Sequence, residues 1–402
     1  MYVNTAKSRA SAMVVLYQDT KEKMENLAGK KGGKNRQSRA LFTFVGIALL
    51  VSIIHLSLFS FRETEDSPCW IAVGEYFLGQ EEISRINPHC LQNPLIPGAA
   101  ALLSWATGIP VAGAYLPLNL AALVGSGILL YRIALKLTNR KVAAIAALLF
   151  LIDFHSQYYA FSVMPDSLTW FFELLLIFLM ILLISKNHLN NTAFFLYGII
   201  FGLAPLIKMN LVFLFPIIFA YMLKIKRAKR ITLLFLFILS ASLPLFIFYS
   251  WIKVNLDLFP WFLLSSEIQD HATSVREHLF SFVSAFLYII PFIIFAAFKY
   301  SFNKKYNSLM ILIATGLLVP IFIWPYAMSR FAFTLFVILL PLAASGMLNL
   351  SDRVTLGKKF RRGLLVAILI GLYLLNTLRI YLTFSNISHL EFIKRILFAS
   401  QI

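Results

Sequence analysis

The sequence predicts an all-α polytopic membrane protein with about 11 transmembrane helices, and three observations carry that prediction. Of its 402 residues, 59% are hydrophobic and 13% charged, against roughly 25% charged in an ordinary soluble domain. Apolar runs recur along the chain and approach or exceed the roughly 20 residues that cross a hydrocarbon core. The charges are also sorted. Segments assigned to the inside, with the end of the second run, collect 27 of the 36 Lys and Arg, while outer and membrane-depth positions collect 14 of the 18 acids. Cytoplasmic loops hold such a basic excess. The net charge of +18 therefore reports topology and implies no nucleic-acid partner. A β-barrel would alternate apolar and polar residues instead.

Taken in order, residues 1–40 form a basic cytoplasmic tail with nine Lys and Arg, suited to contact with anionic membrane lipids. Residues 41–61 are too long, and lack the small-residue site, for a cleaved signal; they read as the first span. The main domain covers residues 41–382, with an outer loop at 62–114, and residues 383–402 form an outer tail. Residues 61–98 hold six of the 18 acids, both cysteines and four of the 15 prolines. Within this loop, residues 69–79 and 97–107 read as short interfacial helices, the first with Trp70, Val73 and Phe77 on one apolar face.

The second span begins near Tyr115 and ends at Arg132 and Lys136, which can snorkel. A third runs from Val142 towards His155, and a fourth over 167–184. Residues 193–223 are too long for one span and carry Lys208 in the middle. Folding them at 205–210 keeps the basic cluster at 224–230 inside, as the charge rule requires. Five further spans follow, over 231–251, 278–298, 308–324, 331–348 and 363–382. Residues 253–277 form a second outer loop carrying four acids.

The chemistry points to the first outer loop. Glu65-Asp66 is a carboxylate pair at a membrane–water boundary, where one member can act as a general base on a hydroxyl; its bland alternative is a solvated acidic loop. Lys208 and Arg330 fall at outer ends of spans, where a cation either anchors the interface or meets an anionic headgroup. Arg85 and His89 are further candidates for that anion. Asp166, after Pro165, opens the fourth span as a helix cap or a site residue. Glu173 lies seven residues on along the same face; an acid at that depth is costly, and an interhelical hydrogen bond would satisfy it. Asp153 and His155 sit nearby at the end of span three. Cys69 and Cys90 can close a loop of about 20 residues, worth about 3 kcal/mol, if oxidised. Asn386 begins a glycosylation sequon. No set of residues has the spacing of a dedicated metal site.

These pieces recur in a family order: Glu65-Asp66, then CWIAVGEYFLG, NPHCLQNPLIPGAAALLSWATG, SVMPDSLTWFFELLLIFL, GIIFGLAPLIKMNLVFLFP and SRFAFTLFVILLP. The order resembles the C-fold membrane glycosyltransferases that use polyprenyl-phosphate sugars, above all the dolichyl-phosphate-mannose protein mannosyltransferase superfamily and its bacterial lipopolysaccharide-modifying relatives. The pair reads Glu-Asp where Asp-Glu is commoner, Asn93-Pro94-Leu95 lacks a double proline, and the Arg often found early in span two is missing at 116–120.

The resemblance implies an inverting transferase moving a sugar from a polyprenyl-phosphate donor to a glycan, lipid or protein hydroxyl. Asp66 would be the base with Glu65 beside it, and Lys208 and Arg330, with Arg85 and His89 as weaker candidates, would face the donor phosphate. Asp166, Asp153, His155 and Glu173 would orient the acceptor or a divalent metal (Mg or Mn), which some members of the fold use and others do not. A transporter or flippase of lipid-linked sugars would need polar residues at mid-depth on many helices. A polysaccharide ligase or polymerase would use the later outer loop at 253–277.

Overall fold

A computed structural model describes residues 43, 45–59, 61–185, 191–223, 225, 227–256, 274–297, 306–323, 329–353 and 357–384. The basic tail (1–40), most of the second outer loop (257–273), residues 385–402 of the C-terminal tail and the sequon at Asn386 lie outside the described residues. The chain divides into two units, Met1–Leu50 and Val51–Ile402. The described residues of the first begin the apolar helix α1 (Val45–Leu58). The second unit holds everything described below.

Among the described residues the secondary structure is helical apart from one isolated parallel bridge between Arg62 and Ser162. The loop at 62–114 carries two helices within two residues of the expected places. α2 (Ser67–Phe77) starts with Pro68 in its first turn, where the missing N–H costs nothing. It buries Trp70 and Val73 and packs against α4 (Leu95–Thr107) and α5 (Val111–Leu137). Between them lie a 3-10 turn, Ile83–Arg85, and the short α3 (Pro88–Leu91). α4 ends on Gly108, whose φ of 74° favours a residue without Cβ.

The core is built on α5, which packs between α6 (Arg140–Ile152) and α8 (Asp166–Ser185). Asn139 caps α6, accepting from the backbone of Lys141 and Val142. Asp153 ends it and caps α7 (Phe154–Ala160) after a bend of 51°. α9 (Asn191–Ile207) stops at Lys208, whose backbone is extended; a 3-10 segment, Met209–Leu214, and α10 (Ile217–Met222) follow. The helix thus breaks at the place expected from charge.

α9 packs on α11 (Arg227–Leu256). A Cβ at Gly202 would strike the Ala241 carbonyl, so glycine permits this approach, as small residues do between membrane helices. α12 (Val275–Phe286) and α13 (Ile290–Ala297) meet at 86°. α14 (Asn307–Ile323), α15 (Ser329–Phe333), α16 (Phe336–Arg353) and α17 (Lys358–Phe384) complete the unit. α16 packs on α13 and α6.

Among the described residues four helices are long and apolar enough to cross a membrane, or six if each bent pair is one span, against the eleven expected. Five further apolar helices, including α1, α4 and α9, fall short of 18 residues. Hydropathy measures how long an apolar run is, whereas bends at Asp153, at Lys208 and between α12 and α13 divide runs into short helices.

Candidate active site

Asp66 is placed by backbone pairing. The N–H of Arg62 donates to the Phe161 carbonyl at 3.1 Å, and the Val163 N–H donates to Arg62 at 3.1 Å. Ser67 Oγ adds a bond to the Val163 carbonyl at 2.9 Å and accepts from the Thr64 N–H at 2.6 Å. The loop after α1 is thereby fastened to the loop between α7 and α8. That second loop is held by Asn119 of α5, whose amide faces the carbonyls of Ser162 at 2.8 Å, Met164 at 3.2 Å and Tyr159 at 3.3 Å. Asp66 occupies the N-cap position of α2 and makes no cap bond. Its carboxylate takes the Arg330 guanidinium instead, at 3.1 Å between Oδ2 and Nη1.

A second ion pair lies beside the first. Asp166, the first residue of α8, is 2% exposed and accepts from Lys208 Nζ at 2.5 Å. Lys208 is brought there by the break after α9, and the Met209 N–H is fixed by Asn93 Oδ1 at 3.1 Å. The Asn93-Pro94-Leu95 segment thus touches the turn that carries the lysine. One aromatic ring joins the two cations: Lys208 Nζ is 5.3 Å and Arg330 Cζ 5.4 Å from the centroid of Phe331, within cation–π reach. Burial opposes the charge on Arg330, but the carboxylates of Asp166 and Asp66 outweigh it and hold the group above its ordinary range. Asp166 Oδ2 and Arg330 Nε are buried with no hydrogen-bond partner.

The other candidate residues divide. Glu65 is exposed in the same loop, and Tyr158 lies in the field of Glu65, Asp66, Arg62 and Arg330. Asp153 and His155 are bonded to each other at 3.2 Å, and His155 Nε2 reaches Ser329 Oγ at 3.0 Å. Arg85, with a side chain 72% exposed, pairs with Glu81 at 3.5 Å and is not joined to the Asp66 group by any ion pair among the described residues. His89 lies in α3, next to Cys90. Cys69 and Cys90 form a disulfide that ties α2 to α3. Glu173 is fully buried, and neither carboxyl oxygen has a hydrogen-bond partner; the interhelical bond expected for it is not made among the described residues.

Four residues that sequence reasoning missed belong to this region. Ser329 and Phe331 flank Arg330, Asn119 clamps the loop before Asp166, and Arg379 of α17 lies 4.1 Å from the Phe154 ring and bonds the Ser284 carbonyl at 3.0 Å. For Asn119 and Arg379 a signal existed: each is a polar residue alone in an apolar run. Ser329 and Phe331 lie in the SRFAFTLFVILLP segment already quoted for the family order.

A divalent metal fits these residues poorly. Among the described residues no three of His, Cys, Asp and Glu converge on one point. Both carboxylates beside the cations already face a Lys or an Arg. No step below passes through a metal.

The helical bundle has the C-type glycosyltransferase fold of an integral membrane protein. It is similar to ArnT from Cupriavidus metallidurans bound to undecaprenyl phosphate, with a TM-score of 0.59 and 13% identity over 85% of this chain and 72% of that one. Against the same protein in the apo state the TM-score is 0.59 at 15% identity, over 81% and 62% of the two chains. The archaeal oligosaccharyltransferase AglB from Archaeoglobus fulgidus, in complex with an inhibitory peptide and a dolichol-phosphate, gives 0.53 at 11% identity, covering 84% of this chain and 56% of that one. At these identities the likeness establishes the fold. Residues 93–252 match the family model of dolichyl-phosphate-mannose-protein mannosyltransferases, a stretch that includes Asp166 and Lys208 and omits Asp66 and Arg330. No curated protein matches the sequence.

Proposed function

We propose that this protein is an inverting glycosyltransferase that moves a sugar from a polyprenyl-phosphate donor to a hydroxyl acceptor (glycan, lipid or protein) at the outer face of the plasma (inner) membrane, with its N-terminus cytoplasmic. The observation that carries this reading is the facing of Asp66 by Arg330, with Lys208 within reach of the same Phe331 ring. A base and two cations are what the reaction needs at one place.

In the proposed step the acceptor hydroxyl gives its proton to Asp66 while its oxygen attacks the anomeric carbon. The bond from that carbon to the phosphate oxygen breaks, and polyprenyl phosphate departs with its electron pair. One negative charge develops on the phosphate as one proton arrives on the carboxylate. Cations set against the phosphate gain attraction as that charge grows, so they stabilise the transition state more than the ground state. Arg330 and Lys208 fill this role.

Each cation is neutralised by a carboxylate while no donor is bound. A donor phosphate therefore competes with Asp66 for Arg330. When it wins, Asp66 is released from Arg330 and is free to take the acceptor proton, beside the sugar it must help transfer.

The test is direct. Wild-type protein and Asp66→Asn are supplied with polyprenyl-phosphate sugars and candidate acceptors, and glycosylated product and released polyprenyl phosphate are measured. Wild type is expected to yield both and the variant neither. Turnover retained in the variant removes Asp66 from the base role.

A further inference from the structure

Asp153, His155 and Ser329 form a line of hydrogen bonds that ends one residue before Arg330. A carboxylate can only accept, so His155 Nδ1 carries the ring proton and donates to Asp153 Oδ1 at 3.2 Å. In the neutral ring Nε2 then accepts the Ser329 hydroxyl at 3.0 Å, across 174 residues of sequence. The same Asp153 oxygen accepts the backbone N–H of His155 at 2.7 Å, capping α7. One oxygen thus sets both the start of α7 and the tautomer of its histidine. The ring has no exposed surface. It stacks on Phe333 at 4.9 Å and meets the edge of Phe154 at 5.0 Å.

The receiving element needs such a hold. α15 is five residues long, far below the length at which a helix keeps its own shape. Its far end is gripped by Phe333, which packs against Trp170 at 4.9 Å and Phe336 at 5.2 Å. Its near end is Ser329, which takes the His155 bond, and α12 packs along the helix. Arg330 follows at once.

We infer that His155 is a positioning residue for the donor-phosphate cation Arg330, acting through Ser329, with Asp153 holding the imidazole in the tautomer that accepts the serine hydroxyl. The inference rests on the proposed role of Arg330 and assigns to His155 no contact with donor, acceptor or metal. A displacement of about 1 Å in a group of this kind can cost on the order of a hundredfold in rate.

The test uses full-length protein in detergent and undecaprenyl phosphate as the probe. Three variants separate the two ring nitrogens. His155→Phe keeps the ring and loses both nitrogens, His155→Asn places a polar atom near Nδ1, and His155→Gln places one near Nε2. The Phe and Asn variants are expected to bind the lipid phosphate about tenfold more weakly, the size of one lost hydrogen bond, and the Gln variant to restore it. In an Arg330→Gln background His155→Phe is expected to add less than about twofold, because the two changes remove one interaction.

Where His155→Phe fails to fold, Ser329→Ala carries the same expectation, with Ser329→Thr restoring binding. Wild-type affinity in the folded Phe variant overturns the inference, as do multiplicative effects of the His155 and Arg330 changes. Both outcomes leave the donor reading standing. Wild-type protein that binds no undecaprenyl phosphate overturns the donor reading itself, and this inference with it.

Discussion

Arg330 donates to Asp66 across 264 residues of sequence, at 3.1 Å between Nη1 and Oδ2. The two ends of the pair differ: the arginine side chain is 14% exposed and the aspartate 53%. The cation is fixed in the bundle and the carboxylate stands at the water's edge. A half-solvated pair of this kind adds little to stability, about 0–1 kcal/mol.

Asp66→Asn is therefore expected to separate three quantities. The melting temperature in detergent should barely move. Turnover should vanish, since an amide accepts no proton from the acceptor. Undecaprenyl phosphate should bind up to about fivefold more tightly, because Arg330 no longer has a competing carboxylate; that factor corresponds to roughly 1 kcal/mol. Unchanged or weaker lipid binding in the variant would contradict the proposed competition at Arg330.

The neighbouring pair behaves differently because it is buried. Lys208 is 15% and Asp166 2% exposed, so removing one partner strands a charge away from water, at about 3–5 kcal/mol. Lys208→Met and Asp166→Leu should each lower the unfolding midpoint substantially. The double variant should lose much less than the sum, since no charge is left unmatched. Chemical denaturation of the four proteins in detergent measures the cycle; additive losses would show that the two side chains do not act as a pair.

Much of this arrangement was legible in sequence, and for identifiable reasons. Lys208 marked its own helix break, because a continuous span would have carried five basic residues to the wrong side. Glu65-Asp66 stood out as carboxylates in a proline-broken loop between long apolar runs. The short helices of that loop followed from their apolar face. What sequence could not show was direction. Asp153 reads as one more acid near a span end, and nothing in composition says that it turns the chain by 51° and aims His155 at Ser329. Glu173 looked like half of a hydrogen bond, and its other half is not among the described residues. Arg85 carries the right charge in the right loop, but local helical geometry sets Glu81 four residues away as its partner.

The disulfide offers a third test. Cys69 and Cys90 are 21 residues apart, and closing a loop of that size is worth about 3 kcal/mol in the chain-entropy picture. Cys90→Ser should lower stability by about that amount and release α3 from α2, while the ion pairs at Asp66 and Asp166 keep their contacts. Non-reducing alkylation with a maleimide, read by mass spectrometry, should label neither cysteine in the wild type and Cys69 alone in the variant. Two labelled thiols in protein taken from its native membrane would mean that the bridge does not form there.

Asn119 gives the last and most structural prediction. It lies in α5, fully buried, in a stretch without charge from Ile86 to Tyr131. Its amide nitrogen serves the Ser162 and Met164 carbonyls of the loop between α7 and α8 and the Tyr159 carbonyl in the last turn of α7. That loop pairs with Arg62 and Ser67 on one side and leads straight into Asp166 on the other. One side chain therefore holds the register between the two ion pairs. Asn119→Leu keeps the volume but leaves the carbonyls without their donor, at about 1–3 kcal/mol for each group stranded. Asn119→Asp is expected to be worse, because it sets a charged acceptor against carbonyl oxygens. Both variants should lose turnover as well as stability, since the loop controls where Asp66 and Asp166 stand relative to each other. Denaturation midpoints and turnover, measured on the same preparations, decide the matter. An Asn119→Leu protein with wild-type activity would show that the loop holds its register without the clamp, through the Arg62 and Ser67 bonds.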